Sequence, residues 1–242
     1  MSTLKAHNIE PATGTDVALG AAGDSITVSG DSLTTNTIKD AGGNTLFTSD
    51  GAGTLSSVNS GVKGGGPILI QTQTITSGVA SVVFTSNINS TYEKYMFVCI
   101  NIHPASDAEI FGFKLSSDGG SNYNVTKQSN AFQANHTEAD GTEFQYEANR
   151  DLSQSAGQQC LASGVGNGND ESTSGILYLY TPSNTTYVKH YNARFQTYCA
   201  SNLSQVYYTG GYANTTSAVN AIQFTMSSGN IDAAIIKMYG IK

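Results

Sequence analysis

The chain contains 242 residues, of which only 12% are charged, and its formal net charge is −7. Soluble proteins ordinarily have about 25% charged residues, so Ser, Thr and Asn must provide much of the surface. The acidic balance and the lack of a basic patch exclude nucleic-acid binding, because phosphate recognition requires clustered Lys and Arg. No segment approaches the ~20 apolar residues of a membrane-spanning helix, and MSTLKAHNIEPATG lacks the apolar region of a secretory signal. We therefore predict that the protein is made in a cytoplasm and does not insert into a membrane.

Residues 1–62 are rich in Gly, Ser, Thr and Asp, with sparse aliphatic residues and a single aromatic residue, Phe47. The segments GDSITVSGDSL (23–33) and NTLFTSDGAGTL (44–55) share one pattern, a short strand with one or two aliphatic residues between turns. Within one chain, such a region buries too little apolar surface to offset the conformational entropy lost on ordering. Two alternatives follow: a disordered tail, or an extended arm or stem in which three copies wind together around their aliphatic side chains.

The composition changes at GVKGGGP, residues 61–67. We predict that residues 63–66 form a flexible glycine hinge and that Pro67 stiffens the entry into the following strand. The other 21 aromatic residues all follow Pro67. Since aromatic side chains supply large buried areas, the core is expected within residues 67–242.

The region after Pro67 alternates β-branched and aromatic residues with polar ones, which is typical of strands. In YVKHYNARFQTY, for example, Tyr191 and Phe195 fall on one face and Asn192 and Arg194 on the other. Clusters of Gly, Asn, Asp and Ser separate the segments and predict turns. We predict an all-β fold, an extended N-terminal arm followed by an antiparallel β-sandwich of jelly-roll type. The predicted strands are 68–75, 79–85, 95–102, 110–116, 175–181, 187–198, 221–226 and 234–240.

Motifs for catalysis are absent: the chain has no GxSxG, HExxH or P-loop sequence. His136 lies near Glu138 and Asp140, but one histidine beside loop carboxylates is better interpreted as a solvated loop than as an acid–base or metal site. Asp170 and Glu171 could bind Ca²⁺ with loop carbonyls, yet no EF-hand spacing accompanies them. We predict no enzyme activity, no cofactor and no metal site.

Three cysteines are widely spaced and odd in number. Cys99 and Cys199 lie in apolar, strand-like segments, which favours buried free thiols over a disulfide. His103 follows a strand and precedes Pro104, so we interpret it as a strand-end residue.

Tyrosine is abundant, with 13 residues concentrated in segments such as QVYYTGGY (205–212) and TYVKHY (186–191). Tyrosine rings can stack on sugars or fill a core or a subunit interface. The absence of Trp favours the core or interface interpretation.

Ligand contacts are expected in the longest polar interruptions, residues 116–124, 134–143 and 164–174, because binding residues concentrate on loops. The candidate surface-binding residues are Asp118, Asn122, Tyr123, His136, Asp140, Asn167, Asn169 and Asp170.

The segments STLKAHNIEPATGTDVALG and DSITVSGDSLTTNTIKDAGGNTLFTSDGAGTLSSVNS resemble the N-terminal arms of tail-fibre and other virion proteins of marine bacteriophages. FTSNINSTYEKYMFVCINIHPAS, LSSDGGSNYNVTK, TPSNTTYVKHY and NTTSAVNAIQFTMSSGNIDAAIIKMYGI are similar to the β domain of the same proteins. The resemblance spans nearly the whole chain. It implies a structural or adhesive role in a multi-copy, trimeric assembly within the virion, and it brings no catalytic residues.

Three functional hypotheses follow. The first is a tail-fibre-type adhesin whose residues 1–62 dock to other virion proteins and whose sandwich contacts a host-surface glycan or protein. The second is a capsid decoration protein or head fibre anchored by the same arm. The third is a glycan-degrading tail enzyme, which would require an acidic pair across a cleft.

Overall fold

The computed structural model describes residues 37–40, 42–49, 52, 55–58 and 66–242. The chain separates into two compact units, Met1–Gly64 and Gly65–Lys242. The predicted segment 23–33 and residues 63–65 of the predicted hinge lie outside the described residues.

Strands β1 (Thr37–Lys39), β2 (Thr45–Ser49) and β3 (Leu55–Val58) form a small antiparallel sheet in the first unit. The turn between β1 and β2 is built on Asp40, whose Oδ1 accepts hydrogen bonds from the backbone N–H groups of Gly42 (2.9 Å) and Asn44 (2.8 Å). An Asp side chain commonly closes a turn in this way, by bonding to the backbone that follows it.

The second unit contains twelve strands, and every pairing among them is antiparallel. The predicted all-β, antiparallel fold is therefore confirmed. The strands are β4 (Ile68–Ile75), β5 (Val82–Phe84), β6 (Lys94–Pro104), β7 (Glu109–Ser116), β8 (Lys127–Thr137), β9 (Thr142–Tyr146), β10 (Gln159–Val165), β11 (Thr173–Tyr180), β12 (Lys189–Cys199), β13 (Leu203–Ala213), β14 (Ala221–Met226) and β15 (Ile231–Ile241).

The twelve strands are hydrogen-bonded into one continuous sheet that branches at β12, and we call its two parts the large sheet and the small sheet. The large sheet runs β4-β15-β6-β11-β12-β13-β8-β9, and the small sheet runs β10-β7-β14-β5. The two are joined where β10 pairs with β12, at Val165 opposite Cys199. The small sheet packs face to face on the centre of the large sheet, which gives a β-sandwich.

Aromatic side chains from the two sheets meet in the core. Phe224 of the small sheet contacts Phe97 of the large sheet with ring centroids 5.6 Å apart, and Phe113 contacts Tyr191 at 5.2 Å. All four side chains are essentially buried. Strand β12 illustrates how the sequence directs side chains into this core. Its residues alternate between buried and exposed from Lys189 to Thr197, as the period of two in YVKHYNARFQTY predicts.

The three cysteines are buried and free, as predicted for Cys99 and Cys199. Burial raises the pKa of Cys160 and of Cys199 to about 12, and it also raises the pKa of Cys99. None of the three thiols is ionised at neutral pH, so their contribution is packing.

Strands β8, β9, β10 and β13 are absent from the sequence prediction. Residues 134–143, expected as a long polar loop, instead complete β8 and begin β9, and only residues 138–141 connect them. Pairing with β13 explains why residues 134–137 form a strand, because β8 and β13 are hydrogen-bonded in register over their full length. Within the described part of the chain, no helix has the length and apolar character needed to cross a membrane.

Candidate ligand-binding groove

The predicted surface-binding loops lie at opposite ends of the sandwich. Residues 138–141 and 166–172 lie at one end, where the side chain of Tyr198 is close to both. The negative charge of Glu138 is the main cause of the raised pKa of Tyr198, and Asp170 and Glu171 add to it. The loop 117–126 follows the other end of β7, so the three predicted loops cannot form one binding surface.

Asp118 holds the loop 117–126 in place. Its Oδ1 accepts hydrogen bonds from Ser116 Oγ (2.7 Å) and from the backbone N–H of Asn122 (2.9 Å), and its Oδ2 accepts one from Asn122 Nδ2 (2.8 Å). These bonds lower the pKa of Asp118 to about 2. The partly buried hydroxyl of Tyr123 has a raised pKa because of burial and the charge of Asp118. The carboxylate is therefore engaged within its own loop.

The other predicted residues also bond mainly to their neighbours. His136, in strand β8, lies 3.1 Å (Nε2 to Oδ1) from Asp140 in the β8–β9 turn. The backbone N–H of Asn167 donates to Asp107 Oδ1 at 3.3 Å, and its side-chain amide donates to Ala105 O at 3.4 Å. Asn169 and Asp170 line a shallow depression of about 530 Å³ beside His103.

His103 lies in β6, and its Nε2 is 3.1 Å from the carbonyl oxygen of Gly168. This contact joins the strand to the loop 166–172. Among the described residues, no three His, Cys, Asp or Glu side chains are placed to hold a metal ion.

A more complete site lies on the outer face of the large sheet, the face turned away from the core. In the register of the sheet, Tyr178 of β11, Asn192 of β12, Gly210 of β13 and Asn130 of β8 stand side by side across four strands. The next outward row consists of Ile176, Arg194, Tyr208 and Phe132 in the same strand order. Two adjoining rows of aromatic and amide side chains thus cross the middle of the sheet.

These rows enclose a groove of about 620 Å³, which we call the central groove. It is lined mainly by Asn130, Phe132, Ile176, Tyr178, Asn192, Arg194, Gln196, Tyr208 and Gly210. Among these described lining residues there is no carboxylate. The groove therefore offers aromatic faces, amide donors and acceptors, and one guanidinium.

Gly210 forms an open floor in the central groove. A Cβ atom on Gly210 would meet only the Oδ1 of Asn130, at 3.5 Å, which is ordinary van der Waals contact. By contrast, a Cβ on Gly211 would lie 2.3 Å from the backbone oxygen of Gln128. The fold requires glycine at 211, whereas at 210 a side chain would fit and would fill the groove.

The aromatic walls of the groove are held by ring contacts. Tyr208 stacks on Phe132 with centroids 4.9 Å apart and an interplanar angle of 15°, and Phe132 contacts the exposed Phe144 at 5.6 Å. The guanidinium carbon of Arg194 lies 5.8 Å from the centroid of the Tyr208 ring. These contacts hold the ring of Tyr208 in place before any ligand arrives.

Two further depressions continue the groove along β12. One, of about 460 Å³, shares Asn130, Asn192 and Gly210 with the central groove and extends to His190 and Tyr212. The other, of about 560 Å³, shares Gln196 and extends to His136, Glu138 and Asp140. From His190 to Tyr198 the trough follows nine residues of one strand, roughly 27 Å at about 3.4 Å per step.

The central groove is not among the sites predicted from the sequence. Its signal was partly present, because the alternation in YVKHYNARFQTY places Asn192 and Arg194 on the face opposite Tyr191 and Phe195. The partners Tyr208, Gly210 and Asn130 come from β13 and β8, which were not recognised as strands. Of the predicted residues, His136 and Asp140 line the end of the same trough.

Comparisons of this chain with protein-family models, with curated proteins and with solved structures find no match.

Proposed function

We propose that this chain is a non-enzymatic attachment protein of a bacteriophage virion, of the tail-fibre type, whose sandwich binds a host-surface glycan in the central groove. The chemistry of that groove carries the glycan part of the proposal. The resemblance of the sequence to virion proteins of marine bacteriophages supports the location and the multi-copy assembly.

Sugars present apolar C–H faces and a rim of hydroxyl groups. The central groove offers a matching combination, with the rings of Tyr178 and Tyr208 beside the amides of Asn130 and Asn192. An amide side chain both donates and accepts hydrogen bonds, so it can serve two hydroxyls of one sugar. The trough along β12 is long enough for an oligosaccharide, as attachment to a surface polymer requires.

Binding without catalysis agrees with the absence of carboxylates among the described lining residues of the central groove. Glycoside hydrolysis ordinarily uses two carboxyl groups on either side of the scissile bond. The acidic residues near the trough, Glu138 and Asp140, lie together at one end, and Asp140 is paired with His136.

Gly210→Gln is expected to abolish glycan binding and to leave the fold intact, because the added side chain occupies the groove floor where the backbone tolerates a Cβ. Tyr208→Ala should weaken binding by about fivefold, since one aromatic contact contributes on the order of 1 kcal/mol. Tyr208→Phe retains the ring and serves as the matched control. Titration of the full-length protein against a panel of neutral and acidic oligosaccharides measures both effects. Failure of the unmodified protein to bind any member, or unchanged binding by Gly210→Gln, would contradict the proposal.

The proposed trimer predicts a mass in solution of about three times the 25.3 kDa chain. Size-exclusion chromatography with light scattering on the full-length protein measures this directly. Avidity would then multiply weak individual contacts, because three linked grooves bind one surface at high effective concentration. A monomeric mass at all concentrations would exclude trimerisation by the chain alone.

A further inference from the structure

We propose that the glycan bound in the central groove is acidic, and that a sugar carboxylate pairs with the guanidinium of Arg194. This inference rests on the proposed glycan binding and specifies the class of sugar. It is carried by the placement of two cations on the two tyrosines that line the groove.

Arg194 is an exposed residue of β12 whose guanidinium lies against the ring of Tyr208. In the described part of the chain the only ion pairs join His103 to Asp232 and His136 to Asp140, so Arg194 forms none. Arg194 thus presents a positive charge to the groove that no described side chain neutralises.

A second cation lies over Tyr178, the other tyrosine of the groove. The Nζ atom of Lys94, in β6, lies 5.4 Å from the centroid of the Tyr178 ring. Lys94 also takes part in neither of the ion pairs found among the described residues. Tyr178 and Tyr208 therefore each have a cation over the ring, in a chain whose net charge is −7.

The guanidinium suits a carboxylate better than a neutral hydroxyl. Its planar fork of N–H donors can bond both oxygens of a carboxylate at once, and such charge-assisted pairs are stronger than neutral hydrogen bonds. The guanidinium lies over the Tyr208 ring, with its carbon 5.8 Å from the ring centroid. Asn192 Oδ1 accepts a hydrogen bond from the Tyr180 hydroxyl (3.4 Å), and Gln196 Nε2 donates one to Ser204 Oγ (2.9 Å). The Nδ2 of Asn192 and the Oε1 of Gln196 are the amide atoms left for hydroxyls of the same sugar or the next one.

The charges along the trough also give the ligand a direction. Glu138 and Asp140 lie at the end beyond Gln196 and would repel an anionic chain. The opposite end, toward His190 and Tyr212, has no acidic residue among its described lining residues. An acidic oligosaccharide seated on Arg194 therefore extends toward Tyr212.

Single-stranded nucleic acid also combines negative charge with stacking, but it fits this groove less well. A strand presents a phosphate at every nucleotide, and binding it requires a basic track along the whole path. Here only two described cations flank the groove centre, and one end of the trough is acidic.

The test compares oligouronates with their carboxyl-reduced counterparts, which differ only in the charged group. The uronates are oligomers of galacturonate, mannuronate and guluronate, and a sulfated oligosaccharide and oligo(dT) are added as other anions. We expect at least one oligouronate to bind the full-length protein about tenfold more tightly than its reduced form, as a hydrogen bond to a charged group predicts. This preference should decrease with added salt.

Arg194→Gln should remove the preference for each oligouronate over its reduced form, because the charge-assisted contact is lost. Arg194→Lys should retain part of the preference, since it keeps the charge without the bidentate fork. Arg194 is exposed, and thermal unfolding of each variant verifies that its fold is intact.

Equal binding of uronates and reduced forms would overturn the inference and leave the proposed glycan binding standing. Tighter binding of the sulfated oligosaccharide or of oligo(dT), or a preference that persists in Arg194→Gln, would also overturn it. Binding of no oligosaccharide of either kind would overturn both the inference and the proposed function.

Discussion

Replacing Phe224 with alanine is expected to lower the free energy of unfolding of the sandwich by about 3–5 kcal/mol. Phe224 is fully buried and lies at the centre of the aromatic core. Its ring contacts Phe84, Phe97 and Phe111, with centroid separations of 6.3, 5.6 and 5.8 Å. These partners come from both sheets, so truncation leaves a cavity that neither sheet can close alone. Urea unfolding followed by tyrosine fluorescence and near-ultraviolet circular dichroism measures the loss.

Two further variants serve as controls for this prediction. Phe224→Leu retains most of the buried volume and should lose less than Phe224→Ala. Phe144→Ala removes the same side chain from strand β9, where Phe144 is 73% exposed, and should change stability by less than about 1 kcal/mol. Equal losses for Phe224→Ala and Phe144→Ala would show that the ring contacts of Phe224 do not hold the sheets together.

Lys127→Met is expected to stabilise the sandwich at pH 7 by about 2 kcal/mol. The side chain of Lys127 is fully buried, and its Nζ donates one hydrogen bond, to Val125 O at 3.1 Å. Burial, with a smaller effect of the nearby Lys114 charge, lowers the pKa of Lys127 to about 8 from its ordinary value of 10.5. A difference of 2.5 pH units corresponds to about 3 kcal/mol, from which about 1 kcal/mol is subtracted for the hydrogen bond lost by Val125.

The pH dependence of this effect has a definite sign. Below pH 8 the ammonium is protonated in both the folded and the unfolded chain, so the full penalty of burying it is present. Between pH 8 and 10.5 the folded state releases the proton while the unfolded state keeps it, and the stability of the unmodified protein rises with pH. Lys127→Met lacks this rise. Its advantage, measured by urea unfolding at several pH values, should therefore shrink toward pH 10.5.

A second buried lysine, Lys189, also titrates in the folded protein, but it should have little effect on this comparison. It stands in register with Ala213, which is itself paired with Lys127, and burial also lowers its pKa. Lys189 is present in both proteins, so its contribution largely cancels in the difference between them. An advantage of Lys127→Met that stays constant between pH 7 and pH 10.5 would contradict the assigned penalty.

Most strands could be predicted from the sequence, because apolar and polar side chains alternate in segments such as Tyr191–Gln196 of β12 and Ile222–Met226 of β14. Strands β8 and β13 could not. In β8 the inward positions include Ser129 and Gln133, and in β13 the pair Gly210–Gly211 interrupts the pattern. Two of the inward amides bond to each other across the strands, since Gln205 Nε2 donates to Gln133 Oε1 at 2.8 Å. Only the paired structure makes such polar strands stable.

The central groove depends on the same two strands. Sequence alternation places Arg194 and Asn192 on an outward face, but it gives no information about which side chains flank them. Tyr208 reaches Arg194, and Gly210 stands beside Asn192, through hydrogen-bonded register between strands that are adjacent along the chain. Asn130 and Phe132 of β8 complete the site, and each lies more than 70 residues before its paired residue in β13. The contact residues were predicted from the polarity of loops, and that criterion cannot identify a site on the face of a sheet.

The burial of all three cysteines makes this protein a convenient scaffold for chemical labelling. Cys99, Cys160 and Cys199 are sealed inside the sandwich in their protonated form at neutral pH, so thiol-directed reagents have no native target on the folded surface. A single cysteine introduced at exposed Ser204, which borders the trough, would therefore be the only reactive thiol. A fluorophore attached there would report occupancy of the trough without removal of any native residue from the core.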